Sequence, residues 1–369
     1  MRELLIVGAG ITGSLTAALL ARARPSLSLT VWDKARGAGG RMSTHRDPAN
    51  PALHVDMGAQ YISRFAPRPT DTAAFTTLKE ELYSELLKCR VLQPLSGKIE
   101  GERSNLAGAE EAKFVAPKGM NSVAKHFLEQ SRATVAYQHQ LQTTHVRDGR
   151  VFCDTSAGAS ANFDAVILTI PVPQILALNG NFVDHLDSGT RASLEAVKYS
   201  SRYALGLTLS SVSASSCSSF DWTMKYVDHP IIRFMSWDSS KRGSSEFETK
   251  SDCLLVHTGV PFATEHLETD KPRVQELVMA ALTEVLPEVP WGAAKHSHLI
   301  RWRYSQVLTP YKDTRGFAEL SASDQPLVLA AGDGFAGSNF ENCLFSAQNT
   351  ADHILKHLEP RFILLLNLR

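Results

Sequence analysis

Six residues near the N-terminus, Gly8-Ala9-Gly10-Ile11-Thr12-Gly13, have the spacing of a loop that brings a peptide backbone against a pyrophosphate. The first glycine permits a tight turn, Gly10 lets the ligand approach the main chain, and Gly13 lets a helix pack closely on a strand. The start of that helix would supply free N–H donors and the positive end of a dipole. Asp33 follows 20 residues after Gly13, where a carboxylate can accept hydrogen bonds from ribose hydroxyls. Farther on, Gly39-Gly40-Arg41 sets a guanidinium on a glycine turn, suited to balance pyrophosphate charge. Near the other end of the chain, Ala331-Gly332-Asp333-Gly334 closes an apolar run with a second acid.

These residues need particular elements to hold them. Leu4-Leu5-Ile6-Val7 is the unbroken apolar run of a strand buried on both faces, and Leu15, Ala18 and Leu19 carry helical spacing. Leu27, Leu29 and Val31 alternate as a second strand ending at Asp33, which completes a βαβ unit. This unit alone does not separate NAD from FAD. The C-terminal piece does: Leu327–Ala331 reads as a buried strand and about Asn342 to Leu358 as a helix. Asp333 between them can accept from ribityl hydroxyls, and the helix start can face the flavin edge where negative charge develops on reduction. A simple NAD enzyme has no need of that second contact, so FAD is the expected cofactor.

Taken in order, VGAGITG, WDK, GGRM, DMGAQYI and AAGDGF resemble the flavin-containing amine oxidase superfamily. FVAPKG, SSRYALGL, WRYSQV and GDGFAGSNFENC resemble the renalase family within it, and the likeness runs from about residue 2 to 355. The resemblance implies an α/β, two-domain FAD-dependent oxidoreductase like p-hydroxybenzoate hydroxylase, with a Rossmann-type FAD domain and an α+β substrate domain. It implies non-covalent FAD and oxidation of aberrant dihydronicotinamide isomers. These are the 2- and 6-dihydro forms and the α-anomers of NAD(P)H, giving β-NAD(P)+, with O2 reduced to H2O2 by way of hydride transfer to flavin N5. Carried over by motif, cofactor contacts fall on Thr12, Arg41, Gln60 and Tyr61, beside Gly8, Gly10, Gly13, Asp33, Gly40, Gly332 and Asp333.

Two departures from the wider superfamily bear on chemistry. Where many amine oxidases carry a GY-x-x-GA pattern, with its tyrosine in an aromatic cage, this chain has Asn339-Phe340 and Cys343-Leu344. The stretch Trp302–Val307 also lacks the flavin-linking cysteine of the covalent enzymes. Tyr203, Phe234, Trp302, Tyr304 and Phe340 are the candidate walls of a substrate site, with Arg202, Arg233 and Arg303 as candidate phosphate partners. No His–Asp or Cys–His pair has a recognisable catalytic spacing, which suits hydride transfer from a dihydropyridine because that reaction needs no base. Two other readings stay open: a monoamine (catecholamine) oxidase, and a signalling protein whose FAD is structural.

The FAD domain is expected from residues 1–72, 115–175 and 320–358, and the substrate domain from 73–114 and 176–319. Residues 359–369 form an apolar tail without an assigned function. Ser210 to Ser219 reads as a mobile loop. Lys and Arg equal Asp and Glu at 38 each, which argues against a nucleic-acid binder held by bulk charge or a polybasic membrane surface. No apolar run reaches the ~20 residues of a membrane span. The five cysteines are odd in number and scattered, so they read as reduced thiols. His296-Ser297-His298 reads as a polar surface strand, and no metal site is expected. The apolar N-terminus is needed by the fold, so no removable leader is expected; synthesis is then cytoplasmic, with leaderless secretion open. The partners expected are a small substrate and O2, and the oligomeric state is not legible.

Overall fold

The computed structural model describes residues 2–102, 110–184, 186–209, 220–243, 252–321 and 326–358. The 210–219 loop, the 359–369 tail and Cys217 therefore lie outside the described residues.

Strand β1 (Glu3–Val7) leads through the glycine loop into helix α1 (Ile11–Ala23) and back to β2 (Ser28–Asp33). β1 and β2 pair in parallel, Val7 opposite Trp32. They form the middle of a six-stranded sheet whose order is Phe317–Glu319, Leu327–Ala331, Ala165–Leu168, β1, β2, Thr134–Tyr137. All neighbours are parallel except the edge strand Phe317–Glu319. Side-chain alternation divides the core between two faces. Leu4, Ile6, Val31 and Leu329 pack toward α1 and the C-terminal helix Phe340–Leu358. Leu5, Val7, Val166 and Val328 pack on the other side. The FAD-type α/β fold expected from sequence is present, assembled from distant chain segments.

The helix Ala73–Lys88, expected in the substrate domain, buries its Phe75, Leu82 and Leu86 with Leu15 and Ala18 of α1 and with Phe127. Burying such side chains favours this location by about 1.5–3 kcal/mol each. Likewise Leu178, Val183, Leu194 and Val197 belong to the core beside Leu5 and Leu168. Hydrophobic spacing along a stretch carries no information about which sheet will cover it.

The second sheet has the order Ala294–Trp302, Arg202–Leu209, Cys253–Thr258, Ile232–Trp237, Met224–Tyr226, Ile99–Glu100. Tyr203, Leu205, Leu207, Val256 and Leu299 point to one face, packed with Val274, Val278 and Leu282 of the helix Lys271–Val285. Ala204, Phe234 and Leu255 point to the opposite face and meet Val55, Met57 and Val115, joined by half-buried Tyr61, Tyr226 and Trp302. That inner face is where the two domains meet. No helix among the described residues is long and apolar enough to cross a membrane.

Candidate functional site

The glycine loop and the two other cofactor motifs converge. Gly39 N–H donates to the Ala9 carbonyl (2.9 Å), and Gly10 and Gly39 form an isolated parallel bridge. The 39–41 turn therefore lies edge to edge with the 8–13 loop, with Gly40 against the Gly10 backbone. A Cβ at Gly13 would stand 2.0 Å from the Gly8 carbonyl oxygen, so no other residue allows α1 to start this close to β1. Gly58 has the same function for the turn: a Cβ there would meet the Arg41 carbonyl at 1.9 Å, and Ala59 N–H donates to that oxygen at 2.9 Å. Thr12 lies near Gly332, which brings the C-terminal motif to the same place.

Asp33 is nearly buried and accepts from Ala9 N–H and Ala35 N–H, each at 2.7 Å. One oxygen thus fixes the glycine loop from below, while lone pairs remain for a ligand. Arg41 and Asp333 form a two-pronged ion pair, with Nη2 to Oδ1 at 2.6 Å and Nη1 to Oδ2 as the second prong. Ser338 Oγ also donates to Asp333 at 2.6 Å. Burial pulls the Arg41 guanidinium pKa down, but Asp333 overcomes it and the net shift is upward. Arg41 further lies over the Tyr199 ring, 6.0 Å from its centroid, and Tyr199 meets Tyr304 edge to face at 5.5 Å. Tyr199 thus lies between Arg41 and Tyr304.

The loop fits the dinucleotide. A Cβ at Gly10 would find nothing within 4 Å, so the main chain there borders open space. α1 has no side-chain N-cap, and its first internal bond is Ser14 N–H to the Gly10 carbonyl, so the preceding N–H groups lack helical acceptors. Free donors, an open approach, Arg41 and Asp33 together make the cradle a pyrophosphate and ribose require.

Tyr226, Phe234, His257 and Trp302 lie on the inner face of the second sheet, and Tyr61, from the segment facing it, joins them in one aromatic cluster. The Tyr61 and Tyr226 hydroxyls share a hydrogen bond of 3.1 Å, and Tyr226 meets Phe234 at 4.9 Å and Phe234 meets His257 at 5.9 Å between centroids. Trp302 Nε1–H (2.8 Å) and His257 Nε2–H (3.3 Å) both donate to the Met57 carbonyl. They tie the wall to the Asp56–Tyr61 segment. Tyr226 and His257 were missed from sequence, since neither stands in a recognisable motif.

Other expectations need correction. Tyr203 is fully buried on the opposite face of the sheet, its hydroxyl donating to the His266 carbonyl at 2.7 Å. Its neighbour Arg202 lies opposite Trp302, so the site expected at Tyr203 is one residue out of phase. Phe340 is packed with Tyr83 (5.7 Å between centroids) in the FAD-domain core, because the C-terminal helix begins two residues earlier than its spacing suggested. Arg303 pairs with exposed Glu268 at 2.7 Å. The Gln60 amide makes its hydrogen bonds within the protein. Its Nε2–H donates to the Asp56 (2.6 Å) and Gly58 (2.9 Å) carbonyls and its Oε1 accepts from Lys241 Nζ at 2.8 Å. Gln60 is therefore a positioning residue for the Gly58 turn.

Lys241 belongs to a buried four-charge cluster spanning the domains. It reaches Asp56 at 3.0 Å and Asp238 at 2.7 Å, and Arg242 reaches both carboxylates at 2.7 Å. Burial alone would raise the Asp56 pKa; Lys241 and Arg242 overcome it and hold it below the usual carboxylate range. Cys153, Cys253 and Cys343 are buried thiols pushed up to about 12 by burial first, too high for nucleophiles.

His257 gives the site a pH signature. Burial lowers it to about 4, with the bond to Met57 opposing and the Arg202 and Lys241 charges adding to the fall. Between pH 4 and 6.5 the unfolded chain binds this proton and the native protein does not. Stability from neutral His257 is therefore complete above about pH 6.5 and lost as pH falls toward 4. His257→Gln keeps a donor to Met57 and should flatten the stability slope by up to about 1.4 kcal/mol per pH unit in that window. Urea midpoints at several pH values measure it; parallel slopes for the two proteins would contradict the assignment.

Arg202 and Arg233 stand at the end of this wall and line a cavity of about 1300 Å³ together with Phe262, His266, Arg273 and the acids Asp228 and Glu265. Arg202 contacts the Thr258 carbonyl (3.3 Å) and Gln306 Oε1 (3.2 Å), and the Arg233 guanidinium lies 5.5 Å above the Tyr226 ring. Burial and then the Arg233 charge lower the Arg202 pKa. Neither guanidinium has a carboxylate partner among the described residues.

The sequence matches the family model of an NAD(P)-binding Rossmann-like domain over residues 6–77 and that of flavin containing amine oxidoreductase over 64–355. It is 38% identical to mouse (Mus musculus) renalase over 350 residues, 94% of this chain and 97% of the mouse protein. Its fold is similar to a candidate protoporphyrinogen oxidase from Exiguobacterium sp. 255-15, at TM-score 0.70 and 15% identity, covering 96% of this chain and 99% of the other. Putrescine oxidase superposes at TM-score 0.62 and 11% identity, with the same coverage of each chain. FAD is the cofactor these relationships assign, and the Gly10 cradle accommodates it. The chain belongs to the flavin-containing amine oxidoreductases and, within them, to the renalase family.

Proposed function

We propose that this flavin oxidase acts on aberrant dihydronicotinamide dinucleotides. Its substrates are the 2- and 6-dihydro isomers and the α-anomers of NAD(P)H; with O2 and a proton they yield β-NAD(P)+ and H2O2. The observation that carries the reading is the junction of an aromatic wall with two guanidinium groups, Arg202 and Arg233, beside a large cavity. A planar dihydropyridine attached to a pyrophosphate matches that junction in shape and charge.

The Gly8–Gly13 loop, Asp33 and Arg41 would hold FAD, which would supply a hydride acceptor that O2 can reoxidise. The protein orients the ring and excludes water. Half-buried Tyr226 and Trp302 on the sheet, with Tyr61 facing them, offer aromatic surfaces backed by buried Phe234, so the ring is held without ordering a flexible loop. Loss of hydride leaves an aromatic pyridinium, so no side chain has to remove a proton. Neutral His257, donating its Nε2–H to Met57, supports the backbone at the site instead of acting as a base. An amine substrate gains nothing from the arginine pair, and a protonated one is repelled by it.

The test is anaerobic mixing of the yellow holoenzyme with 6-dihydro-NAD, β-NADH or a catecholamine, following the visible flavin absorbance. Bleaching by the 6-dihydro isomer, reversed by O2 with peroxide formed, is expected. Bleaching by the catecholamine alone would assign a monoamine oxidase, and bleaching by none would leave FAD a structural role. We further infer that the FAD is held without a covalent bond. Acid-precipitated protein should leave its yellow colour in the supernatant, and colour in the pellet would refute this.

A further inference from the structure

At the far edge of the nucleotide-binding sheet from this site, three potential metal ligands meet. His353 and His357 are four residues apart on the C-terminal helix, and Glu319 ends the edge strand Phe317–Glu319. One ligand atom from each lies within 4.8 Å of the other two. The i, i+4 spacing puts both imidazoles on one side of the helix, with ring centroids 4.4 Å apart.

The nitrogens available for ligation follow from the surrounding bonds. His357 Nδ1 is 2.9 Å from the His353 carbonyl, which can only accept, so Nδ1 carries the proton and Nε2 keeps its lone pair. This is the second-sphere arrangement that orients metal-binding histidines. His353 Nε2 lies 3.2 Å from Glu319 Oε2, yet it is buried without a well-formed hydrogen bond. Tetrahedral bonds of about 2.0–2.1 Å place neighbouring donors about 3.3–3.4 Å apart, close to that separation.

The other histidine cluster contrasts with this one. His45 is stacked face to face on His298, centroids 3.9 Å apart and planes 7° from parallel, and its Nε2 is 2.9 Å from that of His296. These rings lie across the domain junction, half-buried, so the expected surface strand is instead an interdomain contact. Stacked rings do not converge their lone pairs on one point.

We propose that Glu319, His353 and His357 form a binding site for a divalent transition-metal ion of the zinc class, pinning the edge strand to the C-terminal helix. Imidazole nitrogens select such ions over Mg2+ or Ca2+, and water completes the coordination. Occupancy should stiffen this edge without changing turnover, because none of the three residues belongs to the flavin or substrate cradle.

The test uses tag-free holoenzyme titrated with Co2+, whose visible d–d bands report coordination by nitrogen and oxygen ligands, followed by displacement with Zn2+. One equivalent should bind, with affinity falling at least tenfold in His357→Ala and in Glu319→Gln, each assayed for retained flavin and oxidase activity to show that it is folded. His296→Ala, in the stacked cluster, should bind Co2+ like the parent protein. Absence of d–d bands at a tenfold excess of metal would overturn the proposal. So would bands that persist unchanged in the His353→Ala, His357→Ala double variant.

Discussion

Replacement of Lys241 by methionine is expected to cost about 3–5 kcal/mol of stability, the range for removing one partner from a buried ion pair. Lys241 is fully buried between Asp56 and Asp238, and the cluster of two acids and two bases is balanced. Without Lys241, two carboxylates share the one Arg242 guanidinium in a place water does not reach. Methionine retains the length of the side chain, so lost packing contributes little. An operational melting temperature should fall on the order of 10 °C for a loss of this size. Adding Asp56→Asn should recover part of the loss, because it removes the charge left unpaired. FAD affinity should fall as well, since Gln60 loses its Lys241 partner while holding the Gly58 turn beneath Arg41. A Lys241→Met protein within 1 kcal/mol of the parent in urea unfolding would show that water already reaches the cluster.

The cluster also shows where sequence reading stops. The βαβ unit, Asp33, the 39–41 turn and the strand ending at Asp333 were legible because each is a local pattern: buried runs, glycines at fixed offsets, an acid at a strand end. Asp56 and Lys241 stand far apart in sequence, and a single lysine carries no mark of having a buried partner. The aromatic wall was half legible for a related reason. Phe234 and Trp302 could be selected by residue type, but the face they occupy depends on register across an antiparallel ladder. Arg202 stands opposite Trp302 and Tyr203 opposite Arg301, so one step in phase separates a wall residue from a core residue. His257 joins the cluster because Cys253–Thr258 pairs with both Arg202–Leu209 and Ile232–Trp237, a pairing no local pattern encodes. Phe340 was misplaced for want of a helix boundary, the least legible feature of an amphipathic run.

The substrate reading depends on the arginines, and their removal should separate it from its rival. Arg202→Ala with Arg233→Ala is expected to lower kcat/KM for a dihydronicotinamide dinucleotide by roughly 10- to 100-fold. That is the size of one charge-assisted hydrogen bond to phosphate, about 1.5–3 kcal/mol. The loss should fall mainly on KM, because the pyrophosphate is far from the reacting carbon and is bound equally in ground and transition states. A dihydronicotinamide riboside, which has no phosphate, should lose almost nothing. Raising ionic strength should weaken the parent enzyme more than the variant, as it screens the attraction the variant lacks. An aryl-alkylamine substrate predicts the reverse, since two guanidinium charges beside the wall oppose a cationic amine and their removal would improve its use. Equal losses for dinucleotide and riboside would mean that Arg202 and Arg233 maintain the sheet edge through the Thr258, Gln306 and Val227 contacts they already make. The phosphate would then have to be held elsewhere, and the cavity they border would lose its claim as the substrate's entrance.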